Sequence, residues 1–401
     1  MTGRVPVMGD LSPVRGVRIG TANAGIKQTE RDDMTLMLLG PHATVAGVFT
    51  QSAFRAPPVE IAEQRLAGAP RALIINSGNA NAATGEAGAQ DARRVCDAVA
   101  QEVLEVDADA VLPFSTGVIG ERLPVDAMRA AMTIAAQKLD ESHWSQAARA
   151  IMTTDTVPKG LSRQLELAGE TLTITGIAKG SGMIKPNMAT MLAFIATDAA
   201  VAAEVLQPML RRVADLSFNR VTVDGDTSTN DSFMLVASGE GRKLQSDEEL
   251  SAFEAALLDV AQTLARWIAG DGEGASKLVT VEVGGGRTTE DCLAVAYTIA
   301  ESPLVKTAIF AGDPNWGRFC MAIGRADAEV DPDRVTLHLG DVCIAERGMV
   351  APGYLEADAA RVMSGDELTV RVDLGLGEAQ AWVWTCDLSY DYVKINAEYR
   401  T

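Results

Sequence analysis

The segment KGSGMIKPNMATMLAFIATDA, residues 179 to 199, interrupts the ordinary alternation of strand and helix patterns in this 401-residue chain. Its glycines permit backbone angles that side chains forbid, and Pro186 fixes its own φ. The turn runs directly into TMLAFIA, an apolar strand pattern. Thr190, at this junction, is a candidate to attack the carbonyl carbon of Ala189. An ester would replace the peptide bond, and water would then cut it.

Self-cleavage would also supply a catalytic base. The new α-amine of Thr190 has an unperturbed pKa of about 8 and, when neutral, can accept the proton of its own hydroxyl. The chain has three histidines, His42, His143 and His338, and none lies in a motif that indicates a base, so Ser-His-Asp chemistry is disfavoured. The alternative is that residues 179–189 form an ordinary surface loop, and this segment alone favours that alternative.

The flanking sequence predicts a layered α+β fold, because strand patterns and helix patterns come in blocks. Alternating and apolar runs between turn residues predict strands at 34–40, 44–50, 71–76 and 171–177. Apolar residues at three- and four-residue spacing predict helices at 87–105, 125–138, 143–152, 199–218 and 247–270. The last 120 residues read as mixed strands and short helices, with a helix beginning in GDPNWGR.

Composition excludes several classes of partner. Lys and Arg number 35 against 54 Asp and Glu, a formal charge of −19, so neither nucleic acid nor an anionic membrane is expected to bind. No apolar run reaches the roughly 18 residues of a spanning helix, and the N-terminus lacks a signal peptide's apolar region. We therefore expect a cytoplasmic protein. The five scattered cysteines have no zinc-ligand spacing, so no metal site is expected.

Nine further segments, in order along the chain, resemble one known family. The segment around Thr190 resembles the autocleavage segment of the bifunctional ornithine acetyltransferase/glutamate N-acetyltransferase family of arginine biosynthesis. Similar in the same order are GIKQTERDDMTLMLL, GVFTQSAFRAPPV, ALIINSGNANAATGEAG, PFSTGVIGE, MTTDTVPK, FNRVTVDGDTSTNDS, GDGEGASKL, GDPNWGR and NAEYRT. Ordered matches along nearly the whole chain are far more specific than any one motif.

The resemblance implies a two-lobe, self-cleaving fold with N-terminal-nucleophile chemistry. An α chain of residues 1–189 would carry the oxyanion hole and the cleavage segment. A β chain of residues 190–401 would begin with the nucleophile and end in a substrate-binding tail. Two such pairs would form a heterotetramer.

The resemblance also implies roles for individual residues. Thr190 would be the nucleophile, and the Thr116 hydroxyl and Gly117 N–H would form the oxyanion hole. The residues implied to bind substrate are Thr154, Lys179, Thr190, Glu273, Asn396 and Thr401, with Thr153 as the neighbouring alternative to Thr154. The alternative for Lys179 and Glu273 is that they are solvated surface charges.

The implied reaction moves an acetyl group from N-acetyl-L-ornithine to L-glutamate through an acetyl ester on Thr190. No bound cofactor is expected, and acetyl-CoA is retained as a candidate co-substrate, because the sequence does not separate bifunctional members from those restricted to ornithine. Lys185 stands where many members have a small residue and adds a positive charge five residues from Thr190, and the sequence does not decide its effect on the cleavage rate.

Two rival functions stay open from the sequence. The first is a related self-processing aminopeptidase or amidase, which would use the same Thr190 with water as the acceptor. The second is a binding protein in which Thr190 never becomes a chain terminus. Acetyl partition between water and glutamate distinguishes the first, and the intact mass distinguishes the second.

Overall fold

A computed structural model of the chain describes residues 4–27, 29–185 and 191–398. These residues form two compact units. The larger unit contains residues 7–219 and 227–265, and the smaller unit contains residues 4–6, 220–226 and 266–398. The boundary predicted after residue 189 is a cleavage site and not a boundary between compact units. It stays a prediction.

The larger unit contains two β-sheets. The first has the strand order β1-β2-β4-β5, and the second has the order β3-β9-β8-β7-β6. The strands are β1 Val17–Ala22, β2 Met34–Leu39, β3 Thr44–Phe49, β4 Ala72–Asn79, β5 Val111–Val118, β6 Lys159–Leu167, β7 Glu170–Lys179, β8 Leu192–Thr197 and β9 Ser232–Ala237. Neighbouring strands are antiparallel, except that β4 pairs with β5, and β8 with β9, in parallel.

These two sheets pack face to face. Alternate residues of a strand point to opposite faces, so Leu73 and Ile75 of β4 join the core between the sheets, while Ala72 and Ile74 join the core on the outer side. Phe114 of β5 meets Phe194 of β8 edge-to-face, with ring centroids 5.2 Å apart. Every residue of β8 is buried, as expected for a central strand covered on both faces.

Helices cover the outer faces of the sandwich. The helices of this unit are α1 Pro57–Arg65, α2 Gly85–Val99, α3 Val125–Gln137, α4 Trp144–Ala150, α5 Ala203–Asp215 and α6 Asp247–Gly270, whose last residues belong to the smaller unit. Helices α2 and α3 pack on the first sheet, and α5 and α6 pack on the second. The unit is therefore a four-layer helix–sheet–sheet–helix sandwich.

The smaller unit is a single sheet with helices packed against it. Its strand order is β13-β12-β11-β14-β10-β15. The strands are β10 Leu278–Gly286, β11 Thr336–Leu339, β12 Val342–Glu346, β13 Met349–Val350, β14 Glu367–Asp373 and β15 Ala379–Cys386. The helices are α7 Thr289–Ala300, α8 Pro303–Ala311, α9 Trp316–Gly324, α10 Glu356–Met363 and α11 Tyr390–Glu398.

The predicted α+β class is confirmed, and most predicted elements form near their expected positions. Helix α2 ends at Val99, earlier than predicted, because a π-helical turn over Ala100–Leu104 follows and the left-handed Glu105, with φ 52°, closes it. Helix α5 begins at Ala203 rather than 199. As predicted, α9 begins in GDPNWGR, where the Asn315 side chain caps it by accepting from the Arg318 N–H.

Two further predictions concern membranes and cysteines. Within the described ranges, no single helix is long and apolar enough to span a membrane, although α7 and α8, bent by 58°, meet the length and composition requirement as a pair. All five cysteines are free thiols.

Candidate active site

Lys179 and Thr116 meet at one end of the sandwich. Lys179 is the last residue of β7, it is only 8% exposed, and its Nζ donates to Thr116 Oγ1 at 3.4 Å. Thr116 lies on β5 in the other sheet, 63 residues away in sequence. Because the ammonium donates to the hydroxyl oxygen, the hydroxyl hydrogen of Thr116 can be donated to another acceptor. The interpretation of Lys179 as a solvated surface charge is wrong.

Gly117 has a backbone conformation that excludes side chains. Its φ is +133°, and a Cβ atom there would lie 2.2 Å from the carbonyl carbon of Gly78 on the neighbouring strand β4. The register of the β4–β5 pair becomes irregular just after Gly78. Glycine at 117 therefore lets the two backbones approach closely where β5 carries Thr116.

A buried amide holds this end of β5 in place. The Asn230 Nδ2 donates to the carbonyls of Ser115 and Ala80, at 2.9 and 2.6 Å. Asn230 belongs to FNRVTVDGDTSTNDS, one of the segments that resemble the family, and it is 5% exposed. The sequence did not indicate its contact with the strand that carries Thr116.

The Thr154 hydroxyl lies beside the start of the segment in which cleavage is predicted. Its Oγ1 is 2.7 Å from Ser181 Oγ, two residues after Lys179. The adjacent Thr153 makes a different contact, in which its backbone N–H donates to Asp155 Oδ2 at 3.0 Å. Thr154 therefore has the hydroxyl that faces the loop after β7, and its role as a substrate ligand stays a prediction.

Asp155 and Lys159 form an ion pair that the sequence analysis did not select. Lys159 Nζ lies 2.8 Å from Asp155 Oδ1, and both side chains are 0% exposed. Burial by itself raises the pKa of Asp155, but the charges of Lys159 and Lys179 outweigh it and hold the pKa below its usual range. The only sign of this ion pair in the sequence is an Asp four residues before a Lys. Such spacing is common on solvated surfaces, so it does not indicate a buried pair.

Lys27 is a second residue that the sequence analysis did not select. Its Nζ donates to the Ala150 carbonyl at 3.1 Å and to the Met152 carbonyl. Burial, followed by repulsion from Arg31, lowers the pKa of Lys27 to about 7; Lys179 lowers it further, whereas Asp33 and Asp155 act in the opposite direction. Lys27 thus supports the turn that precedes Thr154.

In the smaller unit, Glu273 and Asn396 lie together. Asn396 Nδ2 donates to Glu273 Oε2 at 2.8 Å and to the Tyr392 carbonyl at 3.0 Å. Glu273 is 8% exposed, so the alternative of a solvated charge is wrong for this residue too. Helix α11 therefore brings one predicted ligand into direct contact with another.

Close backbone packing positions the loop that carries Glu273. Gly274 has a φ of +67°, and a Cβ there would lie 2.4 Å from the Tyr392 backbone nitrogen at the start of α11. The Ser389 hydroxyl donates to the Gly274 carbonyl at 2.6 Å. Asp387, at the end of β15, accepts from the Ser276 N–H at 2.7 Å. The loop is therefore tied to both β15 and α11.

Three predicted site residues, Ala189, Thr190 and Thr401, lie outside the described residues, so their roles stay predictions. Lys185 is described, and its carbonyl accepts from the Thr227 hydroxyl at 2.9 Å. In the described part of the chain, no three His, Cys, Asp or Glu side chains come together as metal ligands. The expectation of no metal and no bound cofactor stays a prediction.

Comparison with known proteins gives matches along almost the whole chain. The ArgJ family model matches residues 18–401. The arginine biosynthesis bifunctional protein ArgJ of Pseudomonas syringae pv. tomato is 52% identical over 396 residues, which cover 98% of each chain. The protein of the same name from Pseudomonas fluorescens is 51% identical, with 98% of each chain covered.

Two solved structures are among the further matches. One is ArgJ from Bacillus halodurans, 40% identical with a TM-score of 0.50, which covers 52% of this chain and 100% of the solved chain. The other is the ornithine acetyltransferase of Mycobacterium tuberculosis complexed with ornithine, 36% identical with a TM-score of 0.38, which covers 44% of this chain and 94% of that one. On the extent of the family match and of the identity to both Pseudomonas proteins, this chain belongs to the ArgJ family.

Proposed function

We propose that this chain transfers the acetyl group of N-acetyl-L-ornithine to L-glutamate, as an acyltransferase of arginine biosynthesis. The observation that carries the proposal is the identity of 52% over 98% of both chains with a protein named for a bifunctional role in arginine biosynthesis. Family resemblance makes this function preferable to the aminopeptidase or amidase alternative.

We propose further that the chain cuts itself between Ala189 and Thr190. Strands β7 and β8 pair antiparallel with Lys179 opposite Leu192, so the twelve residues 180–191 connect two hydrogen-bonded strand ends. A cut inside this connection leaves β7 on one fragment and β8 on the other, while the ladder between them keeps both in one sheet. Cleavage therefore does not require the fold to come apart.

The solved Bacillus halodurans chain supports this proposal. It is matched along its whole length and yet spans only 52% of this chain. If the precursor of this relative is cut near its middle, each of the two resulting chains would match only about half of this chain.

In the proposed reaction, the neutral amine of Thr190 accepts the proton of its own hydroxyl, and the oxygen attacks the acetyl carbonyl. The Thr116 hydroxyl and the Gly117 N–H donate to the oxyanion that develops. Expulsion of the ornithine amine leaves an acetyl ester on Thr190. The α-amine of glutamate then attacks that ester, which forms N-acetylglutamate and restores the Thr190 hydroxyl.

Substrate recognition in this scheme uses buried charges of both signs. Lys179 would bind an α-carboxylate through its ammonium, and Thr154 would add a hydroxyl. Glu273 would accept from an ammonium or amide N–H, with Asn396 orienting its carboxylate, and Thr401 would complete the ligand set. The burial of Lys179 and Glu273, each 8% exposed, supports their roles, because charges held out of water interact with a partner more strongly than surface charges do.

The remaining parts of the proposal follow the family resemblance. Two α and two β chains would assemble into a heterotetramer that works in the cytoplasm without a bound cofactor. Acetyl-CoA would serve as an alternative acetyl donor to glutamate, if the chain is a bifunctional member.

Intact mass and N-terminal sequencing of the purified protein test self-cleavage, with Thr190→Ala as the control. We expect two fragments, residues 1–189 and 190–401, with the second beginning Thr-Met-Leu-Ala-Phe, and an uncut Thr190→Ala chain. A single uncut wild-type chain would contradict the mechanism, since no free amine would exist at Thr190.

Acetyl partition tests the acceptor. Labelled N-acetylornithine is incubated with the cleaved protein, with and without glutamate, and labelled acetate and N-acetylglutamate are separated. We expect the label to move to glutamate. Release as acetate alone, at saturating glutamate, would favour the amidase alternative.

A further inference from the structure

The carboxylate of Asp155 connects two segments that carry predicted site residues. Its Oδ1 accepts from the Gly180 N–H at 2.7 Å and from Lys159 Nζ at 2.8 Å, and its Oδ2 accepts from the Thr153 N–H at 3.0 Å. Thr153 directly precedes Thr154, and Gly180 directly follows Lys179. One buried group therefore holds the backbone beside each of these two predicted ligands.

We propose that Asp155 is a positioning residue that aligns the Thr154 turn with the start of the cleavage segment, for both self-cleavage and acetyl transfer. The inference rests on the proposed function, and it adds a residue to which that function assigns no role. Asp155 does not need to touch substrate, because its effect passes through Thr154, Lys179 and the loop that begins at Gly180.

The geometry of a carboxylate suits this role. Both oxygens are acceptors, so Asp155 can bind the two backbone N–H groups at once and still accept from Lys159. An asparagine of nearly the same size offers one acceptor oxygen and one NH₂ group. Its NH₂ group would face either the Thr153 N–H or the Gly180 N–H, and one donor would lose its partner.

Other contacts reinforce the same alignment. The Thr154 and Ser181 hydroxyls bind each other at 2.7 Å, directly across the gap that Asp155 spans. On the other side of the turn, Lys27 holds the carbonyls of Ala150 and Met152. The cations that act on Asp155 are Lys159 and Lys179, so its carboxylate balances buried positive charge from both segments. Lys27, further out, is balanced by Asp33 as well as by Asp155.

Asp198 provides a matched control in the same unit. It is 3% exposed, its Oδ1 accepts from the Thr173 N–H at 2.9 Å, and its Oδ2 pairs with Arg15 at 2.8 Å. Lys179 pairs with Leu192, whereas Ile174 pairs with Thr197, so Asp198 lies at the opposite end of the β7–β8 ladder. Six residues of strand separate the two ends by about 20 Å.

The experiment compares wild type, Asp155→Asn, Asp198→Asn and the double variant Asp155→Asn/Lys159→Met. The double variant removes both charges of the pair, so that no lone buried ammonium prevents folding. For each full-length protein we would measure the melting temperature, the time course of cleavage by intact mass, and kcat and KM for acetyl transfer.

We expect Asp155→Asn and the double variant to cleave about 10- to 100-fold more slowly and to lose kcat to a similar extent, since small displacements near reacting groups have such effects. Asp198→Asn should lower the melting temperature while its cleavage and kcat stay within about twofold of wild type. If a folded Asp155→Asn or double variant cleaves and turns over like wild type, Asp155 contributes stability only and the inference is wrong. An uncut or inactive wild-type chain would instead contradict the proposed function.

Discussion

The Asn396 side chain donates a hydrogen bond from Nδ2 to Glu273 Oε2 at 2.8 Å, across a separation of 123 residues in sequence. The same Nδ2 donates to the Tyr392 carbonyl one helical turn earlier, so both of its hydrogens have acceptors within the smaller unit. This amide therefore fixes the orientation of the Glu273 carboxylate. A substitution at Asn396 should act on substrate binding through Glu273.

Asn396→Asp should raise KM for N-acetylornithine about tenfold, because it sets a second carboxylate against the buried Glu273. Repulsion between the two carboxylates would move Glu273 out of the orientation that the Asn396 amide fixes and weaken its hold on a cationic or N–H group. Steady-state kinetics check the effect. Asn219→Asp is the matched control, since Asn219 donates to the exposed Asp215 at 2.9 Å and water screens the new pair there. Equal KM values in both variants would argue against a substrate role for Glu273.

Lys179→Met should reduce kcat/KM for N-acetylornithine about 10- to 100-fold, since a buried ammonium that binds a carboxylate contributes roughly 1.5–3 kcal/mol. Lys138→Met, at the exposed end of α3, controls for the loss of one positive charge. Kinetics measured on protein whose cleavage has first been checked by intact mass separate an effect on substrate binding from an effect on the proposed cleavage. An unchanged kcat/KM in Lys179→Met would remove Lys179 from the substrate site.

Gly117→Ala should destabilise the protein by several kcal/mol, because the new Cβ would meet the Gly78 backbone at 2.2 Å and also require a positive φ. Gly120→Ala has the positive φ, +86°, without a neighbouring atom within 4 Å, so it should cost only about 1–2 kcal/mol. Urea unfolding measures both free energies. Both variants require a positive φ, but only Gly117→Ala places its Cβ against a neighbouring backbone, so equal losses would contradict the close approach of β4 and β5.

The stability of the folded protein should depend on pH through Lys27. Its pKa in the folded protein is about 7, below the ordinary lysine value of 10.5, so between these pH values the unfolded chain binds the extra proton. Lys27 should therefore make the free energy of unfolding increase as pH rises from about 7 to about 10.5. Unfolding of wild type and Lys27→Met across this range checks the sign. We expect the free energy of unfolding of wild type to rise with pH relative to that of the variant. If the two free energies change in parallel with pH, the pKa of Lys27 is not lowered.

Much of the fold was predictable because the local pattern agrees with the tertiary packing. The runs at 34–40 and 44–50 form strands, Met34–Leu39 and Thr44–Phe49, and the amphipathic spacing at 125–138 forms helix Val125–Gln137. Strand β9, Ser232–Ala237, was not predicted: its six residues are all buried, and such a short apolar run does not distinguish a strand from a buried helix. A run of six residues therefore left β9 unpredicted, although the equally short and almost equally buried strands β2 and β3 were predicted.

The sequence by itself determined the family, the candidate nucleophile Thr190 and the candidate ligands, because ordered motifs are a property of the chain. Tertiary structure alone decided that Lys179 meets Thr116, that Asn396 meets Glu273, and that Asp155 is a buried counter-charge rather than a surface acid. The physical reason is that these contacts depend on which strands share a sheet and on which faces exclude water. Neither property is encoded in the spacing of neighbouring residues.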